Sequence, residues 1–237
     1  MSNSFFKFKQ FTIEQDKCAM KVGTDGVLLG AWVDIENADN ILDVGTGTGL
    51  IALMLAQRSQ AMIDAIDIDK DAYEQAKDNS TNSPFGERIQ VYHQSFAYFK
   101  ASTTKQYDLI VSNPPYFVDS LKSPEIKRTL ARHNDSLLLD DLIRIGKTLL
   151  TPKGRIALIL PFEQEKELKQ VIQSNSLYII RHTNIVPVVN GKPKRILVEI
   201  AASSNPVYMA DTLSIEIERH VYTTEYQQLT KDFYLKM

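Results

Sequence analysis

Cysteine is nearly absent. Cys18 stands alone among 237 residues, so no disulfide closes within the chain and no cysteine-built zinc site is available. Histidine is sparse too: His93, His133, His182 and His220 are scattered without the spacing of a ligand cluster, and no metal is expected. No apolar run reaches the ~18–20 residues that cross a bilayer. Met1-Ser2-Asn3-Ser4 does not open a leader with a basic start and an apolar middle. The expectation is a cytoplasmic protein with no membrane partner. Excess charge of either sign is also missing, since 27 basic against 29 acidic side chains leave a net charge of −2. That balance excludes a protein that is basic all over, while a local basic face for nucleic acid stays compatible with it.

What is present is an ordinary globular composition. Hydrophobic residues at 43% and charged residues at 24% lie far from the low-apolar, high-charge signature of disorder. The length suits one compact domain. From Asn40 onward, short β-rich runs alternate with helical patterns, which predicts a doubly wound α/β fold. Strands are expected at Ile41–Val44, Met62–Asp67, Arg88–Tyr92, Tyr107–Ser112 and Arg155–Leu160, the last after a turn at Thr151-Pro152-Lys153-Gly154. Helices are expected around Leu50–Leu55 and Asp71–Asn79. Leu138, Leu142, Ile145 and Leu149 mark a third helical face, capped by Asp135 or Ser136.

Two further β-like runs, Leu177–Val186 and Arg195–Ala201, flank Asn190-Gly191 and two prolines and read as an antiparallel hairpin. The expected sheet is seven-stranded and mostly parallel, with one antiparallel strand at an edge. Residues 1–39 form an N-terminal extension with a strand near Phe6–Lys9 and a helix over Asp25–Trp32. Residues 40–204 form the core and 205–237 a C-terminal segment of the same single domain. The least regular stretch is Phe117–Asn134, long enough to be functional.

Asp43-Val44-Gly45-Thr46-Gly47-Thr48-Gly49 follows the first core strand and precedes a helix, where a doubly wound sheet takes a nucleotide-like ligand. Glycine lets the backbone turn sharply and a ligand approach without a β-carbon in the way. The dinucleotide fingerprint needs a third glycine where Leu50 stands, which disfavours NAD. An adenosyl cofactor without a pyrophosphate fits better, with Asp43 placed to hold a cationic amino group, directly or through water, and Gly47 leaving room for its carbon chain. Asp67 ends the second strand roughly 20 residues after the first glycine, the usual place for an acid that accepts from ribose hydroxyls. Strand alternation favours it over Asp69.

Asn113-Pro114-Pro115-Tyr116 follows the fourth strand and so emerges at the same carboxyl edge. Two prolines make a rigid corner, the asparagine and the Pro114 backbone supply carbonyl acceptors, and the tyrosine supplies a flat face. That set suits a planar amine. An exocyclic adenine NH₂ is a poor nucleophile because its lone pair is conjugated, and two acceptors on its hydrogens favour the pyramidal nitrogen as positive charge develops. Tyr116 would stack on a base unstacked from its strand.

These residues resemble class I S-adenosylmethionine-dependent methyltransferases of the Asn-Pro-Pro-Tyr type. Lys9-Gln10-Phe11, the run from Cys18 to Trp32 and Asp232-Phe233-Tyr234-Leu235 are similar to the terminal signatures of the bacterial tRNA(Val) adenine-37 N6-methyltransferases. The resemblance covers essentially the whole chain. It implies S-adenosylmethionine as cofactor, the anticodon stem-loop of a tRNA as partner and a monomeric enzyme. The catalytic set it implies is Asn113, Pro114, Pro115 and Tyr116. Its cofactor set comprises Gly23, Thr24 and Asp25 near the methionine end, Asp43, Gly45, Thr46 and Gly47 in the loop, Asp67 and Ile68 at the ribose, Ser95 and Phe96 at the adenine, and Asn113.

Ser95 is a departure, because the family commonly carries an acidic residue there, and a hydroxyl binds an amine more weakly than a carboxylate does. Phosphate contacts are expected from Lys122, Lys127, Arg128 and Arg132 after Tyr116, and from Lys192, Lys194 and Arg195 in the hairpin. By chemistry alone, a release-factor glutamine amide, a DNA adenine and a ribosomal guanine also present such an amine. The first of these is disfavoured, because residues 1–39 are fewer than the about 50 that a separate helical domain needs. A non-catalytic module that binds cofactor and RNA is the reading of another class, and retention of all four Asn-Pro-Pro-Tyr residues argues against it.

Overall fold

The apolar, β-branched runs become strands, and the periodic segments between them become helices on both faces. The computed structural model describes residues 3–18, 20–115, 138–202 and 208–236. In chain order, a ribbon of β1 (Phe5–Lys7) and β2 (Thr12–Glu14) leads to α1 (Thr24–Trp32), β3 (Asn40–Val44), α2 (Leu50–Arg58), β4 (Met62–Asp67), α3 (Lys70–Thr81), β5 (Ile89–His93), α4 (Phe96–Ser102) and β6 (Tyr107–Ser112). The chain continues with α5 (Leu139–Leu149), β7 (Leu150–Pro161), α6 (Glu165–Ser174), β8 (Tyr178–Val188), β9 (Arg195–Ala201), β10 (Met209–Glu218), β11 (Val221–Tyr222) and α7 (Thr224–Thr230). Tyr116, Lys122, Lys127, Arg128 and Arg132, the Phe117–Asn134 stretch and the expected caps Asp135 and Ser136 lie outside the described residues.

The large sheet runs β11-β10-β8-β9-β7-β6-β3-β4-β5. Strands β5, β4, β3, β6 and β7 pair parallel. The strand order reverses between β3 and β6, the switch point beside which ligands bind in such sheets.

Two expectations are corrected here. Among the described residues the sheet has nine strands rather than seven, because the C-terminal segment adds β10, parallel to β8, and β11, antiparallel to β10. The alternation Leu213-Ser214-Ile215-Glu216-Ile217-Glu218 is the signal for β10. The antiparallel strand β9 is not at an edge. It is inserted between β7 and β8 and pairs antiparallel with both, because the hairpin folds its second strand back against the core and leaves the first outside. Asn190 takes φ 64° at its tip, and Gly191 N–H donates to Val188 O at 2.8 Å. The expected turn at 151–154 is a bulge inside β7, where the register against β6 steps from Tyr107↔Leu150 to Leu109↔Arg155.

Strand alternation builds two cores. Ile41, Leu109, Val111, Ala157 and Ile159 face one side with α1 and α2. Leu42, Ile110, Ile156, Leu158 and Leu160 face the other with α4, α5 and α6. Helix α2 is buried all round, since α1 lies over it, and its Leu53, Met54 and Leu55 are 0% exposed. Each such side chain contributes about 1.5–3 kcal/mol on burial. A β-carbon at Gly30 of α1 would come within 2.8 Å of Met54 Sδ, so glycine is what lets the two helices approach.

The ends of the chain are tied together. Phe8 is 1% exposed and packs on Phe11 and Tyr234, and Lys9 N–H donates to Phe233 O at 2.8 Å.

Candidate active site

The loop after β3 is shaped by its glycines. Gly45, Gly47 and Gly49 take φ of 72°, 57° and 81°, left-handed values that a β-carbon penalises. Gly45 and Thr46 N–H both donate to Ile66 O, at 2.9 and 3.0 Å, holding the loop against the end of β4. A β-carbon built on Gly45 or Gly47 meets no protein atom within 4 Å, and both residues wall a cavity of about 570 Å³.

The same cavity is walled by Asn113 and Pro115. The tie is Ser112, fully buried at the end of β6, whose Oγ donates to Val44 O at 2.7 Å and holds the Asn-Pro-Pro corner beside the glycine loop. Two segments far apart in the chain thus open onto one hollow. Asp67, Ile68, Ser95 and Phe96 also wall it. Asp67 accepts from Gly47 N–H at 2.8 Å and from Asp69 N–H at 2.9 Å. Burial pushes its carboxyl above the usual aspartate value in spite of these bonds. Ser95 caps α4, with its Oγ accepting from Tyr98 N–H at 3.3 Å.

Asp43 lies behind the wall and is 0% exposed. Its Oδ2 accepts from Thr46 Oγ1 at 2.6 Å and from Ala52 N–H at 3.2 Å, which fastens the loop to the first turn of α2. Its Oδ1 has no hydrogen-bond partner among the described residues. Burial raises this carboxyl to about 7, with Asp67 adding to the effect. A half-satisfied carboxylate under an open glycine cradle, with Asp67 and Asp69 in the wall, fits a ligand that carries positive charge. The expected cofactor, an adenosyl group bearing a sulfonium and an ammonium, is of that kind.

Other expected residues are placed differently. Gly23, Thr24 and Asp25 stand at the start of α1 and are not among the wall residues, which include Cys18 and Met20 from the preceding segment. Asp25 Oδ2 accepts from Arg195 Nε at 2.8 Å, so that arginine is engaged within the protein. Lys192 and Lys194 are exposed on the β8–β9 hairpin, at the carboxyl edge. Pro114 is buried at the corner. Sequence reasoning missed Gln94, Asp141, Arg144 and Ile145 in the wall. The last three share a helix that local periodicity identifies, but nothing local says that the helix reaches this cavity. Among the described residues no cluster of His, Cys, Asp or Glu suits a metal ion, and no helix is long and apolar enough to cross a membrane.

Comparison with known proteins supplies the family. The model of the methyltransferase small domain matches residues 21–177. A Parabacteroides distasonis protein named tRNA1(Val) (adenine(37)-N6)-methyltransferase is 55% identical over 237 residues, covering all of both chains. Proteins of the same name from Phocaeicola vulgatus and Trichodesmium erythraeum are 48% and 46% identical, again over the full length of both. Among solved structures, an Agrobacterium tumefaciens protein described as a predicted O-methyltransferase superposes with a TM-score of 0.67 at 22% identity, covering 88% of this chain and 96% of that one. A Lactobacillus delbrueckii ribosomal protein L11 methylase gives 0.57 at 20%, covering 79% and 82%. These two likenesses establish the fold, and with the full-length relatives they place the chain: it belongs to the methyltransferase small-domain family, in the group of tRNA1(Val) (adenine(37)-N6)-methyltransferases.

Proposed function

We propose that this chain transfers a methyl group from S-adenosylmethionine to N6 of adenine 37 in the anticodon loop of a valine tRNA, working as a cytoplasmic monomer. The observation that carries the reading is the shared hollow: Gly45 and Gly47 wall one side, Asn113 and Pro115 another, and the Ser112–Val44 bond holds the two together. A cofactor site and an amine site must open onto one space for in-line transfer, because a reacting pair held at near-attack distance replaces a bimolecular encounter.

When bound, S-adenosylmethionine supplies an electrophilic methyl on a sulfonium. In this reading the glycine loop and Asp67 hold the cofactor, and Asp43 anchors the loop and offers its second oxygen toward positive charge. The Asn113 side-chain oxygen and the Pro114 carbonyl accept the two N6 hydrogens, which favours the pyramidal nitrogen and stabilises the charge that develops on it. No strong base is needed, since the proton of the methylated amine is acidic enough to leave to water. Tyr116 stacks on the target base, and Lys192 and Lys194 meet phosphates without reading sequence.

The test is nucleoside mass spectrometry of purified valine tRNA from cells with and without the gene, paired with transfer of labelled methyl to unmodified transcript in vitro. N6-methyladenosine disappears from that tRNA alone when the gene is deleted, and the purified protein restores it. A valine tRNA that keeps its methyl in the deletion strain sinks the assignment.

A further inference from the structure

Part of the cavity wall is built by two helices. From the N-terminus of α4 come Ser95, Phe96 and Ala97, preceded by Gln94. From α5 come Asp141, Arg144 and Ile145. The helices pack on the same face of the sheet, and Phe96 and Ile145, 6% and 9% exposed, belong to one apolar core. The result is an apolar wall with a polar rim, which suits a flat base with an amine on its edge.

The rim differs in what it can accept. Ser95 Oγ is occupied by Tyr98 N–H at 3.3 Å. Gln94 Oε1 faces Ser102 Oγ at 3.5 Å. Asp69 Oδ1 caps α3, accepting from Ala72 N–H at 2.8 Å, and this residue follows β4 beside Asp67 rather than belonging to the α4–α5 part of the wall. Asp141 is the carboxylate that α5 brings to the wall. Its Oδ1 accepts from Arg144, which steadies the side chain, and Oδ2 remains to accept from a ligand.

We infer that Asp141, steadied by Arg144, accepts from the exocyclic amine of the cofactor's adenine and supplies the adenine selectivity that Ser95 cannot supply alone. The inference rests on the cavity being that of S-adenosylmethionine, as proposed above. Asp141 is a binding residue for the cofactor's base and takes no part in the transfer. An acidic first turn on α5 has an ordinary helix-stabilising role as well, so the test must separate ligand binding from stability.

Calorimetric titration with S-adenosylhomocysteine and with its analogue lacking the 6-amino group does so. The unmodified enzyme binds the parent about tenfold more tightly than the analogue, the size of one charge-assisted hydrogen bond in a partly open site. Asp141→Ala binds the two within about twofold of each other, with the weakening falling on the parent ligand. Asp141→Asn preserves side-chain volume and one carbonyl acceptor, and keeps about threefold discrimination even if the alanine variant fails to fold. Equal weakening of both ligands by Asp141→Ala, or tenfold discrimination surviving in Asp141→Asn, overturns the assignment of Asp141 and leaves the cofactor reading intact. An unmodified enzyme that binds neither ligand overturns both.

Discussion

Asp43 has one oxygen committed to the loop and the other without a partner among the described residues, so its protonation couples stability and ligand binding in opposite directions. Its folded value of about 7 lies above the about 3.9 of an unfolded aspartate. Between these values the folded chain holds a proton that the unfolded chain has released. In the ligand-free protein this group's contribution to stability is therefore greatest at the acid end and falls as pH rises through the window. Cofactor binding runs the other way, because an ammonium stabilises the ionised form. Affinity for S-adenosylhomocysteine should rise roughly tenfold between about pH 5.5 and pH 7.5, and Asp43→Asn should flatten that profile. Calorimetry at several pH values checks both statements, and a wild-type profile as flat as the variant's would exclude the coupling.

Two neighbouring residues divide binding from chemistry. Gly47→Ala strains a left-handed φ at a cost of about 1–2 kcal/mol, and its methyl would project into the cavity rather than against protein. A folded protein with severely weakened cofactor binding is expected, to be read from thermal unfolding with and without S-adenosylhomocysteine. Asn113→Ala should leave cofactor affinity within about twofold while lowering the single-turnover rate about 10²–10³-fold, the cost of removing one acceptor from a charge that develops in the transition state. Equal losses of affinity and rate would count against the role proposed for Asn113.

At the scale of elements, the site depends on the registration of β3 with β6. Ser112 bonds across the top of that pair, and Ser112→Ala leaves the buried Val44 carbonyl without that donor. A destabilisation of about 1–3 kcal/mol is expected in urea unfolding, with a fall in turnover larger than the fall in cofactor affinity, since only turnover needs both walls aligned. The N-terminal ribbon and the C-terminal turn are likewise one element in space: Lys9 N–H bonds Phe233 O, and Phe8 stacks on Tyr234. The two runs of sequence that carry the family resemblance at the termini, Lys9-Gln10-Phe11 and Asp232-Phe233-Tyr234-Leu235, are thus partners in packing, which accounts for their joint appearance in physical terms.

At the scale of the molecule, the net charge of −2 gives no general attraction for RNA, so binding must come from local cations at the carboxyl edge. Lys192 and Lys194 are exposed there, while Arg195 is engaged by Asp25. Replacing both lysines with alanine should weaken tRNA binding alike for cognate and non-cognate transcripts. It should also reduce the slope of log affinity against log salt by roughly 0.7–0.9 for each phosphate that the variant no longer neutralises. Electrophoretic mobility shifts over a salt series measure this, and an unchanged slope would remove the hairpin from the interface.

What the chain order alone determined is what each residue carries locally. The short β-rich apolar runs at Ile41–Val44 and Leu109–Val111, the left-handed turns that only glycine makes easily, and the rigid diproline after a strand were enough to read the parallel core and to place both halves of the site at one edge. Burial against distant partners decided the rest. Periodicity says which face of a segment is covered but not by what, so the insertion of β9, the engagement of Arg195 by Asp25, the depth of Asp43 and the arrival of Asp141 in the cavity wall follow only from how the layers pack.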